Sequence, residues 1–356
     1  MNLLKHPSEY IKSQLCSDIR KDAAEAERLL QLHPNQLKII YEEQWLNLFV
    51  PKKFNGLGVS LPEALYVEEA LAYTDGALGW TVTLCAGAAW FVGFLNPELS
   101  EIIFKDKKVC FAGSGKISGT ASKKKDGFLI NGKWDYASGS PFATAFTANC
   151  VIEENGKTLL NEVGKPIIQS FLFFKNEVNL IKNWNRIGMI ATGSNGFSVT
   201  DVLVPFNRTF IIDSNHTNLP DPIFKYPFLA LAQTTLAVNS SGMAMRFLDI
   251  CKNDFTGDKY NMLQQKLSFA YSEIDTARKL FFDVAEKSWL QCKEQNLSSE
   301  TLQAVGILSQ QLAHKSLRAV DELYPFCGMQ AANPDTEMNR VWRNVHTASQ
   351  HSIFNT

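Results

Sequence analysis

The 356-residue chain has no surplus of either charge: 35 Lys and Arg stand against 36 Asp and Glu, a net charge of −1. Without a basic excess to neutralise phosphates, no nucleic-acid partner is expected. There is no C-x-x-C pair, and the seven cysteines are scattered and odd in number. That excludes a zinc ribbon or a disulfide frame, predicts no metal site and fits a reducing cytoplasm. Met1–Arg20 has no signal-type apolar core, and no repeat or low-complexity tract interrupts the chain. One stretch lacks charge altogether. Gly76–Leu95 is rich in Gly and Ala and long enough to span a bilayer, but no close cluster of Lys or Arg flanks it. The expectation is a helix buried on all sides, with no membrane partner.

What is present is the composition of a soluble globular protein, 45% apolar and 20% charged. The length predicts two or three domains. Helical periodicity runs from about Ser8 to Phe104, with Pro62 in the first turn of one helix. Glu68, Glu69 and Asp75 are expected on its solvated face or as a cap. From Val109 the period changes. Val109–Ala121, Gly127–Tyr136, Ala143–Val151, Gln169–Phe174 and Gly196–Val204 read as strands, punctuated by Asp-Gly and Asn-Gly pairs. Short strands at this spacing predict a small barrel or sandwich. After a linker near Pro205–Pro222, Leu229–Asn253, Asn261–Gln295, Ser299–Leu323 and Pro334–Ile353 have the length of bundle helices, the last with Asn333 as N-cap. The predicted layout is α+β and multidomain: an N-terminal helical domain (1–107), a central small β-barrel (108–215) and a C-terminal four-helix bundle (216–356).

The most informative stretch is Asn131–Phe142. Asn131-Gly132 is a hairpin-turn signal, Trp134 and Tyr136 alternate with polar neighbours, and Ser138-Gly139-Ser140-Pro141 ends the strand. Small hydroxyls and backbone donors at a strand end allow a flat heteroaromatic ring to approach. Turn chemistry alone accounts for the same residues.

Several stretches together resemble the acyl-CoA dehydrogenase-fold superfamily. They are Pro51–Gly58, Gly132–Gly139, and Trp184–Asn195 followed by Asp201–Pro205. Within it, the chain resembles most the two-component flavin-dependent monooxygenase branch. That likeness rests on Trp134 with Ser138-Gly139, on Gly188–Ser194, and on Arg340-Val341-Trp342-Arg343-Asn344 followed by His346 and His351. A dehydrogenase needs a carboxylate to take a proton beside a thioester, yet Arg343–Thr356 contains no Asp or Glu. His351 stands where the dehydrogenase glutamate would fall. His346 and His351, expected on one helix but on separate faces, are poor joint metal ligands.

The resemblance implies a monooxygenase that hydroxylates an aromatic or heteroaromatic small molecule through a hydroperoxyflavin. Its cofactor would be reduced flavin (FMN or FAD) from a separate flavin reductase, and it would act as a cytoplasmic homotetramer covering Phe281, Phe282 and Trp289. It implies His351 as the base toward substrate and Ser138 at the reactive edge of the flavin. It also implies Phe111, Gly113, Ser114, Ser138, Gly139, Trp184, Thr192 and Ser194 around the ring, Arg278 toward a neighbouring subunit's phosphate, and Gly328 in a turn near the flavin. A surface ion pair with Asp275 or Asp283 is the other reading of Arg278. Two family features are missing: a histidine between Gly79 and Trp90, and an Arg-x-x-Phe-Gly motif in Thr256–Leu267. Acyl-CoA dehydrogenase-type α,β-desaturation and a non-catalytic member of the fold therefore stay open.

Overall fold

The computed structural model describes residues 4–254 and 258–354. Residues 255–257, at the start of the Thr256–Leu267 stretch, and the chain ends lie outside it. Six helices come first: α1 (Ser13–Lys21), α2 (Ala23–Arg28), α3 (Pro34–Glu42), α4 (Leu61–Thr74), α5 (Gly76–Ala89) and α6 (Pro97–Ile103). Eight strands follow: β1 (Phe111–Lys124), β2 (Gly127–Ala137), β3 (Ala145–Glu154), β4 (Lys157–Thr158), β5 (Ile168–Phe174), β6 (Asn179–Ile181), β7 (Asn195–Pro205) and β8 (Thr209–Phe210). The chain ends in α7 (Phe228–Asp254), α8 (Asp258–Lys293), α9 (Ser299–Leu323), α10 (Met329–Ala332) and α11 (Glu337–Ala348).

The strands form one open sheet in the order β6-β7-β2-β1-β3-β5-β8, with β4 beside β3. The expected barrel does not close. Its terminal strands are three and two residues long, too short to ladder onto each other. Asn131-Gly132 is not a turn either. Strand β2 runs through it, and the register against β7 shifts between Ile130 and Gly132, a bulge. Asn131 there bonds both the amide and the carboxylate of Asp201. A side chain at Gly132 would collide with the Trp134 ring, which is fully buried at this point.

Helix α5 is buried as expected: 83% of the apolar window Gly76–Gly93 is inside the protein. Asp75 caps it, accepting the Leu78 amide at 2.8 Å. Glu68 and Glu69 are not solvated. Both are 0% exposed, because α4 is packed against α5, α7 and α8. Phe281, Phe282 and Trp289 are likewise buried within the single chain, not on its surface. The last helix starts later than expected. Thr336 caps it, while Asn333 makes a local turn to the Asp335 amide. It ends at Ala348, so His351 lies beyond it, not on it.

Glu69 meets Arg278, which is 2% exposed, through two bonds of 2.7 and 2.8 Å, and Ser241 donates to the same carboxylate at 2.5 Å. Arg278 also reaches Asp275 at 3.3 Å and the Lys5 carbonyl. This guanidinium is a tie between α4 and α8, buried within the single chain. Removing one partner leaves a buried charge uncompensated, so Arg278→Met should cost about 3–5 kcal/mol in urea unfolding. Glu69→Leu combined with Arg278→Met should recover most of that loss.

Candidate functional site

An apolar cavity of about 170 Å³ opens where β1 and β3 face α5 and α7. Its sheet side is Gly113, Ser114, Gly115, Ser138, Thr147 and Asn149; its helix side includes Thr83, Gly87, Phe228, Leu231 and Thr235. Gly87 and Gly115 look onto open space, since a methyl group at either would touch nothing within 4 Å. Among the described residues, no Asp, Glu, His, Lys or Arg lines the cavity.

The strand end that carries Ser138 is forced into shape. Tyr136 sits at φ +69° and Gly139 at φ +76°, left-handed values that an aromatic residue rarely adopts. Gly139 donates to the Thr192 carbonyl at 2.9 Å, and a side chain there would strike Cys85 Sγ. Ser138, Ser194 and Thr192 are buried together. Ser138 Oγ lies 2.8 Å from Ser194 Oγ, which lies 2.6 Å from Thr192 Oγ1, which donates to the Met189 carbonyl at 2.7 Å. Each hydroxyl has one hydrogen. With Thr192 donating to Met189, the order that satisfies all three contacts has Ser194 donating to Thr192 and Ser138 to Ser194. In that order Ser138 keeps a lone pair for the cavity.

The anchor of this relay comes from the far end of the chain. The Met189 amide donates to Asn344 Oδ1 at 2.6 Å, and Arg343 Nη1 donates to the Ile187 carbonyl at 2.7 Å while its fork also clasps Glu27. The two motifs read separately in the sequence, Gly188–Ser194 and Arg340–Asn344, are one hydrogen-bonded unit.

Of the residues named from the sequence, Gly113, Ser114 and Ser138 line the cavity, and Gly139, Thr192 and Ser194 support Ser138. Phe111 is fully buried beside it, stacked on Phe104. Trp184 does not wall the cavity; its Nε1 donates to the Met189 carbonyl at 2.8 Å and its ring meets the edge of Tyr136. Gly328 begins α10 at φ +72°, next to Met329, which is 86% exposed, and is not brought to the cavity; nor is Arg278.

His351 does not line the cavity either. Its ring meets the edge of Trp80 at 5.9 Å, on the turn of α5 before Thr83 and Leu84, which do. The Ile353 amide donates to Nδ1 at 3.3 Å, placing the proton of the neutral ring on Nε2. Burial lowers its pKa from the ordinary 6.5. The sequence reading missed Thr83, Asn149, Asn239 and the burial of Glu68. Their signal was a polar residue inside an otherwise apolar helical or strand run.

A flavin ring fits this setting by donor chemistry. The cavity offers the Ser138 hydroxyl, the exposed backbone at Gly115, and open space at Gly87 and Gly115. The comparisons agree with the fold. Residues 224–356 match the family "Acyl-CoA dehydrogenase, C-terminal domain". The oxygenase subunit HsaA of a flavin-dependent monooxygenase from Rhodococcus jostii is 24% identical over 361 residues, covering 95% of this chain and 92% of that protein. Among solved structures, 3-HSA hydroxylase from Rhodococcus sp. RHA1 superimposes with a TM-score of 0.87 at 21% identity, covering 96% of this chain and 92% of that one. XiaF from Streptomyces sp., solved with FADH2 and glycerol, gives 0.86 at 19% identity, covering 98% and 91%. The chain thus has an acyl-CoA dehydrogenase-like fold and resembles flavin-dependent monooxygenase oxygenase subunits along nearly its whole length.

The open space at Gly87 sets a prediction. Gly87→Ala should stabilise α5 by about 0.4–1 kcal/mol in thermal unfolding, because helical glycine costs backbone entropy and nothing obstructs the methyl. Gly87→Leu should keep the fold but abolish uptake of a one-ring aromatic ligand, followed by ligand-detected NMR.

Proposed function

We propose, for a chain with this fold and these relatives, a reductase-dependent flavin monooxygenase that hydroxylates an aromatic or heteroaromatic small molecule. The observation that carries this reading is the buried run of hydroxyls from Ser138 to the Met189 carbonyl, read with each hydroxyl donating toward Met189. The reduced flavin ring bears a hydrogen on N5, whereas oxidised N5 bears a lone pair. Ser138, with its own hydrogen committed to Ser194, accepts from the first and opposes the second. A protein that takes reduced flavin from a separate reductase needs that preference. Ser114 and the Gly113 and Gly115 backbone would hold the rest of the ring edge. Bound reduced flavin supplies the electrons that activate dioxygen. The apolar walls exclude water from that chemistry. The same cavity argues against desaturation of an acyl thioester, since no carboxylate among its lining residues can remove the α-proton.

His351 is proposed as the group that takes the substrate proton. Burial favours the neutral ring, and the proton would be taken at Nδ1, displacing the 3.3 Å bond from the Ile353 amide. Exposed Phe269, Leu280, Leu290 and Ile307 on α8 and α9 support assembly into an oligomer, proposed as a tetramer.

Anaerobic titration with reduced and oxidised FMN and FAD tests the reading. Reduced flavin should bind at least about tenfold more tightly, equivalent to about 1.4 kcal/mol. Ser194→Ala frees the Ser138 hydrogen and should shrink that ratio mainly by strengthening oxidised binding. Equal affinity for both redox states in the wild type would defeat the reading. Hydroxylation should fall about 10²–10⁴-fold in His351→Ala. In the wild type it should decline with acidity along a limb centred below the ordinary 6.5, since a lowered pKa keeps the ring neutral to lower pH.

A further inference from the structure

Arginine cannot shed its charge on burial, so a guanidinium taken out of water needs a counter-charge. Arg278 has Glu69, Arg246 has Glu337 and Arg343 has Glu27, each through two bonds of 2.7–3.2 Å. Arg340 on α11 has nothing of the kind. It is 8% exposed, and among the described residues its side chain makes no hydrogen bond and no ion pair. It joins the wall of a second cavity, of about 10 Å³, where α11 meets the junction of α4 and α5.

Other donors converge on the same wall. Arg20 spends Nε on the Thr74 carbonyl at 3.2 Å, but its Nη2 is buried without a partner. It comes no closer to Glu337 than 3.9 Å, and both oxygens of that carboxylate are held by Arg246. Asn344 commits Oδ1 to the Met189 amide, while its Nδ2 has no hydrogen-bond partner among the described residues. A methyl group on Gly76 would stand 3.2 Å from that Nδ2. Gly76 lines the cavity and opens α5, a helix of 14 residues, whose first turn adds unmet amides and the positive end of its dipole. Asp75 also lines the cavity and is close enough to feel Arg340, but it caps the Leu78 amide and does not reach ion-pair distance. Three guanidiniums, Arg20, Arg246 and Arg340, therefore face two carboxylates, Asp75 and Glu337, a surplus of one positive charge.

We propose that this cavity binds one halide ion, chloride under ordinary conditions, between Arg340, Arg20 and the N-terminus of α5. A single negative charge cancels the surplus, and an anion accepts from every donor at once. A cavity of about 10 Å³ takes roughly one water-sized particle, which excludes phosphate, sulfate and organic carboxylates. A water molecule could accept two of the hydrogens, but it would leave the Arg340 charge uncompensated in the interior. The ion also has a structural task. By accepting from Asn344 Nδ2 it holds the amide with Oδ1 turned to Met189, and so braces the loop before β7. The inference needs no flavin and stands apart from the monooxygenase reading.

The test unfolds the full chain in urea at fixed ionic strength while sodium chloride replaces sodium gluconate, whose anion is too large for the cavity. A rise from about 20 to about 200 mM chloride should increase the wild-type folding constant about three- to tenfold, since a ligand that binds only the folded state stabilises it by mass action. Arg340→Met should reduce that gain to less than about twofold. Arg318→Met, at an arginine whose side chain is 75% exposed, should respond as the wild type does. Crystals of the wild type grown in sodium bromide need no variant, and settle the matter should Arg340→Met fail to fold. An anomalous bromide peak is expected among Arg340, Arg20 and Gly76. An ordered water alone at that place, no chloride response in the wild type, an undiminished response in Arg340→Met, or an equal loss in Arg318→Met would overturn the proposal.

Discussion

The bond of 2.6 Å between the Met189 amide and Asn344 is the constraint on which the site depends. It fixes the loop before β7 against the last long helix. The loop then presents its carbonyl to Thr192, and the three hydroxyls line up behind it. A hydroxyl free to rotate would serve as donor or acceptor on demand. The geometry removes that freedom from Ser138 and gives it one role. Preorganisation of this kind is inexpensive at the moment of binding because the ordering has already been done during folding.

The same economy divides α4. Its two carboxyl side chains are adjacent in sequence and equally buried, yet one is bound in a network while neither oxygen of the other has a hydrogen-bond partner. Coulombic compensation separates them: Glu69 has a guanidinium at contact distance, and Glu68 has none. Charge in an apolar interior survives only when matched, and burial without such a match pushes the Glu68 pKa well above the usual carboxylate range. The first residue fastens helices together. The second is left with two buried oxygens that no hydrogen bond meets.

How much of this was legible beforehand depended on whether a property is local. Strand spans came within a few residues of the observed ones because alternation and turn residues are local. Closure into a barrel was not readable, since it depends on the lengths of β6 and β8 at opposite edges. The Asn-Gly pair at 131 carries the same letters in a turn and in a bulge; only the partner strand, with Asp201, decides between them. Ser138, Thr192 and Ser194 were recognisable by motif, but the direction of their hydrogens required the Met189 carbonyl. Arg278 pairs with Asp275 as expected, but it is buried, because its main partner Glu69 lies 209 positions away and a charged residue with local acidic neighbours reads as surface. His351 was placed on a helix that stops at Ala348.

The pairing of β2 with β7, joining Gly127 to Pro205 and Ala137 to Asn195, has a bearing on the order in which the protein matures. The intervening β3 and β5 must be laid down before β7 can add itself, and loop closure over such spans is slow compared with helix formation. The Met189 contact spans a further 155 positions. During synthesis, the nascent polypeptide would therefore hold its first helices and half of its sheet well before Ser138 acquires its hydroxyl neighbours on the loop before β7, so the buried hydroxyl cluster is among the last features the chain completes.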